Sequence, residues 1–403
     1  MTDTPLSRKA QIFLLGFLTV IFLLNFLSRV VLAPLMPVIE QDLGLGHTGA
    51  GSFFLMIAAG YAAGLFGSGF ISSRITHRQT IALAAVGGGC AFFLVAAGQS
   101  LWMIRTGLIL LGAATGIYLP SGMTTITSSV CRENWGKALG VFELAPALAY
   151  IAAPLVVEAL LLVFSWRGIL VLIGGAAILL GMAFLRFSTA GDFTGEAPTP
   201  GNIRLLGKRP SFWIMAVLFG LAIGASIGVY SMMPLYLVAE RGMDRELANT
   251  LVGISRIPVI VMALAAGWIS DRFGQKPTIV LALLFSGLMV VLLGLLPGRW
   301  VLLAVFLQPM LTVCFFPAGF TVLARIVPPR ARNLSVALTM FVGYLIGGGL
   351  VPTLLGTFGD ANRFGLAFVL VGSLIFLGAF LMPLLDLREA EEEGGRRAVV
   401  VSP

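Results

Sequence analysis

The stretch Gly267-Trp268-Ile269-Ser270-Asp271-Arg272-Phe273-Gly274-Gln275-Lys276 is a charged turn wedged between two long apolar runs. A turn this polar does not sit in hydrocarbon, where each unpaired backbone group costs several kcal/mol. It therefore reads as a tight loop at one membrane surface, joining two spanning helices. Composition agrees: 58% of the 403 residues are hydrophobic and only 11% charged, with a mean hydropathy of +0.99. Soluble domains run at about 25% charged. The net charge of +8 points to cytoplasmic loops rich in Lys and Arg rather than to nucleic acid. The first apolar stretch, Ile12 to Pro37, is too long for the apolar core of a cleavable signal.

Apolar runs long enough to span recur through the chain. Their approximate cores are 12–37, 51–72, 80–98, 101–128, 137–162, 166–187, 211–238, 248–270, 277–297, 300–326, 334–358 and 364–386. The longest polar interruption, Ser188 to Pro210, carries Pro198 and Pro200 and reads as a linker. The expected organisation is a six-helix bundle over 1–187, a cytoplasmic linker over 188–210, a second bundle over 211–387, and a cytoplasmic tail over 388–403. Within that tail, Glu391 to Gly395 reads as disordered. With the N-terminus inside, basic residues on inner segments outnumber those on outer segments by more than three to one. Both termini are then cytoplasmic, in a plasma membrane such as a bacterial inner membrane.

The two halves echo each other. Met36-Pro37 recurs as Met233-Pro234, Pro120-Ser121-Gly122 as Pro317-Ala318-Gly319, and Gly69 to Arg74 as Gly267 to Arg272, at an offset of 197–198. That is the signature of a parallel six-helix duplication. The pattern G-x-x-x-D-R-x-G-x-K resembles the loop motif of the major facilitator superfamily, and the likeness extends along nearly the whole chain. The resemblance implies an all-α membrane fold of twelve transmembrane helices in two pseudo-symmetric six-helix bundles. It implies secondary transport by bundles rocking about a midplane site. Gly267, Asp271, Arg272, Gly274 and Lys276 would form a conformational latch, with Gly267 permitting close helix approach and Asp271 capping or pairing. Gly69 and Arg74 belong to a degraded first copy, in which Ser73 replaces the acid and Thr76 the second glycine.

Two further resemblances are partial. Arg105, followed by Gly112, Ala113, Ala114 and Gly116, is similar to the family's fourth-helix motif, linked to proton movement in some members. Its place near the outer end also fits snorkelling to the interface. Ala145-Pro146-Ala147-Leu148-Ala149 keeps the proline of the drug/proton antiporter motif but not its glycines.

Charges inside the spans are the most informative residues, because each costs at least about 2.5–3.5 kcal/mol there. Arg29 falls in the outer half of the first span. Arg256 falls about 14 Å into the eighth and Glu143 about 10 Å into the fifth, at 1.5 Å per residue. Glu158 is nearer the outer end and is expected to reach headgroups. In the family, helices one, four, seven and ten line the cavity, and the fifth and eighth face each other. Arg29 and Arg256 would thus bring guanidinium forks from different halves to one cavity, suiting a carboxylate, phosphate or sulfonate. The alternative is bonding to helix carbonyls or to Glu143. Asn25, Tyr118, Tyr230 and Gln308 extend the expected substrate wall, as do Asn249 and Tyr150. Glu143 is the candidate proton carrier, expected to pair with Arg256 when substrate is absent. His47 and His77 fall in loops, so no buried imidazole relay is expected.

The leading expectation is a transporter of a small organic anion, proton-coupled, without cofactors or bound metal, and not an enzyme. It is similar to monocarboxylate-type carriers at the single arginine of the eighth helix. The alternative is efflux of a drug or amphiphile by proton antiport, which would call for a cavity acid with few bases. A membrane sensor on the same fold has no attached soluble domain to signal through. The expected partners are the small-molecule substrate, protons and the lipid bilayer, with no nucleic acid. A monomer is the working expectation.

Overall fold

The computed structural model describes residues 8–195, 197, 200–328 and 331–385. Twelve helical spans are long and apolar enough to cross a membrane: Ala10–Leu43, His47–Ser72, His77–Ala96, Leu101–Ser129, Trp135–Leu161, Trp166–Phe187, Pro210–Ala239, Arg245–Phe273, Gln275–Leu295, Gly298–Ile326, Leu334–Asp360 and Phe364–Leu384. They are numbered spans 1 to 12 below, and they form two bundles of six. The face that carries residues 8 and 385 is the terminal face, and the other is the distal face. Large apolar side chains such as Leu162, Leu264 and Val261 are left exposed on the outside, as a lipid solvent allows. Trp102, Trp268 and Trp300 are exposed near span ends, where indole rings suit the membrane interface.

Five spans are broken in mid-membrane, and proline chemistry places the breaks. Pro34, Pro120, Pro146, Pro258 and Pro317 cannot donate to the carbonyl four residues back. The helical segments before them end at Val30, Gly116, Phe142, Ile254 and Val313. Each end is four residues before its proline. Proline alone is insufficient, since Pro37, Pro154, Pro234 and Pro309 lie within continuous helix. Pro37 therefore does not end span 1, which runs on to Leu43. Spans 7 and 11 instead carry π-helical segments at Gly224–Gly228 and Tyr344–Leu350, a geometry that tends to mark functional positions. The two segments pack on each other, and a Cβ on Gly347 would collide with the backbone of Gly220 and Gly224.

The stretch between the bundles is not wholly irregular. Gly191 to Gly195 turns back onto the loop between spans 2 and 3, with backbone bonds His77–Phe193, Arg78–Gly191 and Gly195–Ser72 and a lone bridge between Thr76 and Thr194. Pro200–Gly207 then forms a short helix, begun by a proline at its first position and anchored by fully buried Leu206. The segment Glu391 to Gly395 lies outside the described residues.

Contacts between the bundles gather on the distal side. Span 2 meets span 11 through glycines: a Cβ on Gly51 would strike the backbone of Pro352, and one on Gly356 the carbonyl of His47. No side chain of span 2 caps its first turn. Asp360 of span 11 does so from the other bundle, accepting from the His47 N–H at 2.6 Å and the Thr48 N–H at 3.0 Å. Spans 5 and 8 close through Glu158, which accepts from Arg245 Nε and Nη2 at 3.1 Å each. Asn249 donates to Glu158 and, at 3.1 Å, to the Pro34 carbonyl. Glu158 therefore does not reach headgroups, as its outward position suggests; its side chain is only 13% exposed and is neutralised across the interface.

The histidines also differ from expectation. His47 and His77 are the first residues of spans 2 and 3. His47 contacts Glu40 at 3.0 Å, and His77 is buried against Ser121 at 3.1 Å. A capping acid is worth about 1 kcal/mol. Asp360→Ala should accordingly move the distal gate toward open by about fivefold. Spin labels at Gln41 and Ala361, in a background lacking the three cysteines, should show a longer-distance population in this variant. An unchanged distance distribution would mean the cap does not hold the gate.

Candidate functional site

Arg29 lies in the last turn before the break in span 1, and Arg256 lies in the break of span 8. Both are 7% exposed. The Arg29 guanidinium carbon sits over the rings of Tyr61, Phe26 and Tyr344, at 4.0, 4.6 and 5.5 Å from their centroids. Its Nη1 donates to the Tyr344 hydroxyl at 3.1 Å. The Arg256 guanidinium sits 4.8 Å from the centroids of both Tyr150 and Tyr230. Nε of each arginine is buried without a partner.

The two arginines share one aromatic enclosure. Tyr150 packs edge-on against Phe26 at 5.1 Å and against Tyr230 at 4.7 Å, and lies within electrostatic reach of both guanidiniums. Tyr61 and Tyr344 pack at 4.4 Å. Four of the chain's six tyrosines thus surround these two side chains, and spans from both bundles contribute. The Arg29 side opens into a small cavity also lined by Phe54, Ile57 and Ser231.

Burying a charge costs at least about 2.5–3.5 kcal/mol; the aromatic faces offset that cost but supply no opposite charge. Among the described residues no carboxylate makes an ion pair with either arginine. Among the described residues neither guanidinium bonds a helix carbonyl. The expected pair between Glu143 and Arg256 is absent: Glu143, at the break of span 5, is exposed and lies within electrostatic reach of Tyr61.

Other residues singled out from sequence are occupied elsewhere. Asn25 donates to the Thr115 carbonyl at 3.1 Å, and the fully buried Tyr118 donates to the Leu18 carbonyl at 2.6 Å. Gln308 donates to the Ala225 carbonyl at 2.8 Å and to Thr312 at 2.9 Å. These are bonds between or within packed helices, the commoner fate of a polar group in a membrane bundle. Tyr230 joins the enclosure, its hydroxyl donating to the Tyr150 carbonyl at 3.3 Å. Arg105 lies 5.8 Å from the exposed Trp102 ring, near the distal end and apart from the enclosure. Tyr61 and Tyr344 escape sequence reasoning because they lie on spans 2 and 11, outside the helices assumed to line the cavity. The scarcity of tyrosine was the available signal.

The loop motif on the terminal face is open at Gly267 and Asp271. A Cβ on Gly267 would meet nothing within 4 Å, so no helix approaches there, contrary to its expected role. Asp271 lies inside the helix, exposed, and Arg272 rests 5.7 Å from the Trp268 ring. Gly274, at φ +90°, ends span 8 in a conformation that L side chains rarely adopt. Lys276 donates to the Leu385 carbonyl at 2.9 Å. In the first copy, Gly69 accepts from Ser73 at 3.1 Å and Arg74 is exposed.

If both arginines are retained for a ligand rather than for folding, removing one should not weaken the protein. Arg29→Met keeps the length and discards an unneutralised charge. Its melting temperature in detergent should equal or exceed the parent's by a few degrees. A clear drop would identify Arg29 as a structural tie.

The sequence profile of the Major Facilitator Superfamily matches residues 18–257 and 228–401. The chain is 22% identical to a probable sulfoacetate transporter of Cupriavidus necator, covering 96% of this chain and 97% of that protein. It is 25% identical to a gallate transporter of Pseudomonas putida, covering 97% and 94%. The fold matches the crystal structure of a bacterial homologue of the human lysosomal transporter Spinster in an inward-facing, occupied conformation. That match has a TM-score of 0.81 at 16% identity and covers 95% of this chain and 99% of the other. Twelve spans in two bundles, broken helices at mid-membrane and a profile matching nearly the whole chain agree: this multi-pass membrane protein belongs to the Major Facilitator Superfamily, and is a transporter rather than an enzyme.

Proposed function

We propose that this transporter carries a small organic anion, held between Arg29 and Arg256, and moves it by alternating access. The observation that carries the reading is the pair of buried guanidiniums, one from each bundle, with no acid against them. An oxyanion accepting from both forks would touch both rocking bodies. The relatives named for sulfoacetate and gallate carry organic acids, in keeping with this chemistry. Drug efflux by proton antiport is less well supported, because the enclosure holds two bases and no acid pairs with them among the described residues.

The bodies in motion would be residues 1–187 and 211–387, joined through 188–210. With both termini cytoplasmic, as the basic-residue bias argues, the closed distal side is the outer one and the conformation faces inward. The disengaged loop at Gly267 and Asp271 fits that state. Glu143 is the proton carrier in this scheme. It is a lone carboxylate at a helix break on the terminal side of the arginines, placed to load a proton in one state and release it in the other. Uptake with protons, through a monomer in a plasma membrane, completes the reading.

Proteoliposomes loaded with a panel of labelled carboxylates and sulfonates, with and without an imposed pH gradient, test it. Arg256→Lys keeps the charge but loses the planar fork, and should cut uptake by about tenfold or more, equivalent to about 1.4 kcal/mol. Glu143→Gln should abolish the response to a pH gradient while leaving counterflow exchange. Full proton coupling in that variant would remove Glu143 from the mechanism.

A further inference from the structure

The structure further suggests how many charges the passenger carries. We propose that the substrate bears two negative charges, one for each guanidinium: a short dicarboxylate or sulfocarboxylate rather than a monocarboxylate. This rests on the organic-anion reading and sharpens it.

Arginine does not deprotonate in proteins, so the enclosure holds two fixed positive charges. Each guanidinium offers five N–H donors. Arg29 uses one, on Tyr344, and the Arg256 guanidinium makes no hydrogen bond to the described residues. Nε of both is buried and unpartnered. The walls are tyrosine and phenylalanine faces, which soften a cation but do not neutralise it.

A monocarboxylate fills one fork and leaves the other charge buried and uncompensated. An anion with an acidic group at each end fills both forks and compensates both charges. It also ties the two bundles together, since Arg29 belongs to one and Arg256 to the other. The contrast within the same molecule is informative. On the distal side the half-buried Glu158 has its partner in Arg245. At the centre neither arginine has such a partner. Glu143 could neutralise at most one of the two charges.

The test uses purified full-length protein and matched probes: acetate, propionate and butyrate against malonate, succinate, glutarate and sulfoacetate. Binding is followed by the ligand-induced shift in melting temperature and by inhibition of counterflow. At least one dianion should bind about tenfold or more tighter than the monoanion of equal chain length. Arg29→Gln and Arg256→Gln should each erase that advantage, leaving dianion and monoanion alike. Arg29→Lys and Arg256→Lys keep the charge and should retain part of it, which separates charge counting from misfolding. Equal binding of both classes, lost in the Gln variants, would overturn the two-charge inference but leave the anion reading standing. Sigmoidal monoanion titration would mean two monoanions bind together, and would also overturn it. No binding by either class would sink the anion reading itself.

Discussion

Two positive charges held in a low-dielectric interior without an acid are the constraint on which the rest of the site depends. Tyrosine and phenylalanine faces return part of the desolvation cost, and that partial return explains why four of six tyrosines gather there. Without an acid against them among the described residues, the two charges make poor architecture, and on that ground we propose the enclosure as the anion site.

The distal closure follows the opposite policy. Glu158 receives both a guanidinium fork and an amide, and Asp360 caps a helix belonging to the other bundle. Each such contact is modest by itself. A closure built from several modest contacts suits the alternating access we propose, since it holds one state without fixing it. The glycines of spans 2 and 11 bring backbones together at the same end, so separation there exposes little that needs repairing.

Much of the architecture was legible in one dimension. The charged turn at Gly267 to Lys276, the apolar run lengths and the offset repeats announced twelve spans in two related halves. The prolines carry more than span prediction used: five breaks fall four residues before Pro34, Pro120, Pro146, Pro258 and Pro317, for the same missing N–H. Arg29 and Arg256 stood out because their cost in hydrocarbon is independent of context. Asn25, Tyr118 and Gln308 did not sort the same way. An amide or hydroxyl can be satisfied by any nearby carbonyl, so its sequence position does not tell a ligand contact from a packing bond. Glu158 misled for a related reason. Its depth allowed escape to the interface, and only the approach of span 8 revealed Arg245.

The chain by itself determined membrane residence, span number, the duplication and the two costly arginines, because these follow from composition, spacing and solvation, which are local. Only the tertiary structure decided which rings enclose those arginines, that Glu143 stands apart from Arg256, and that the distal side is the closed one. Those outcomes depend on how spans from different bundles face each other. That is a matter of rigid-body placement, which local composition and spacing do not encode.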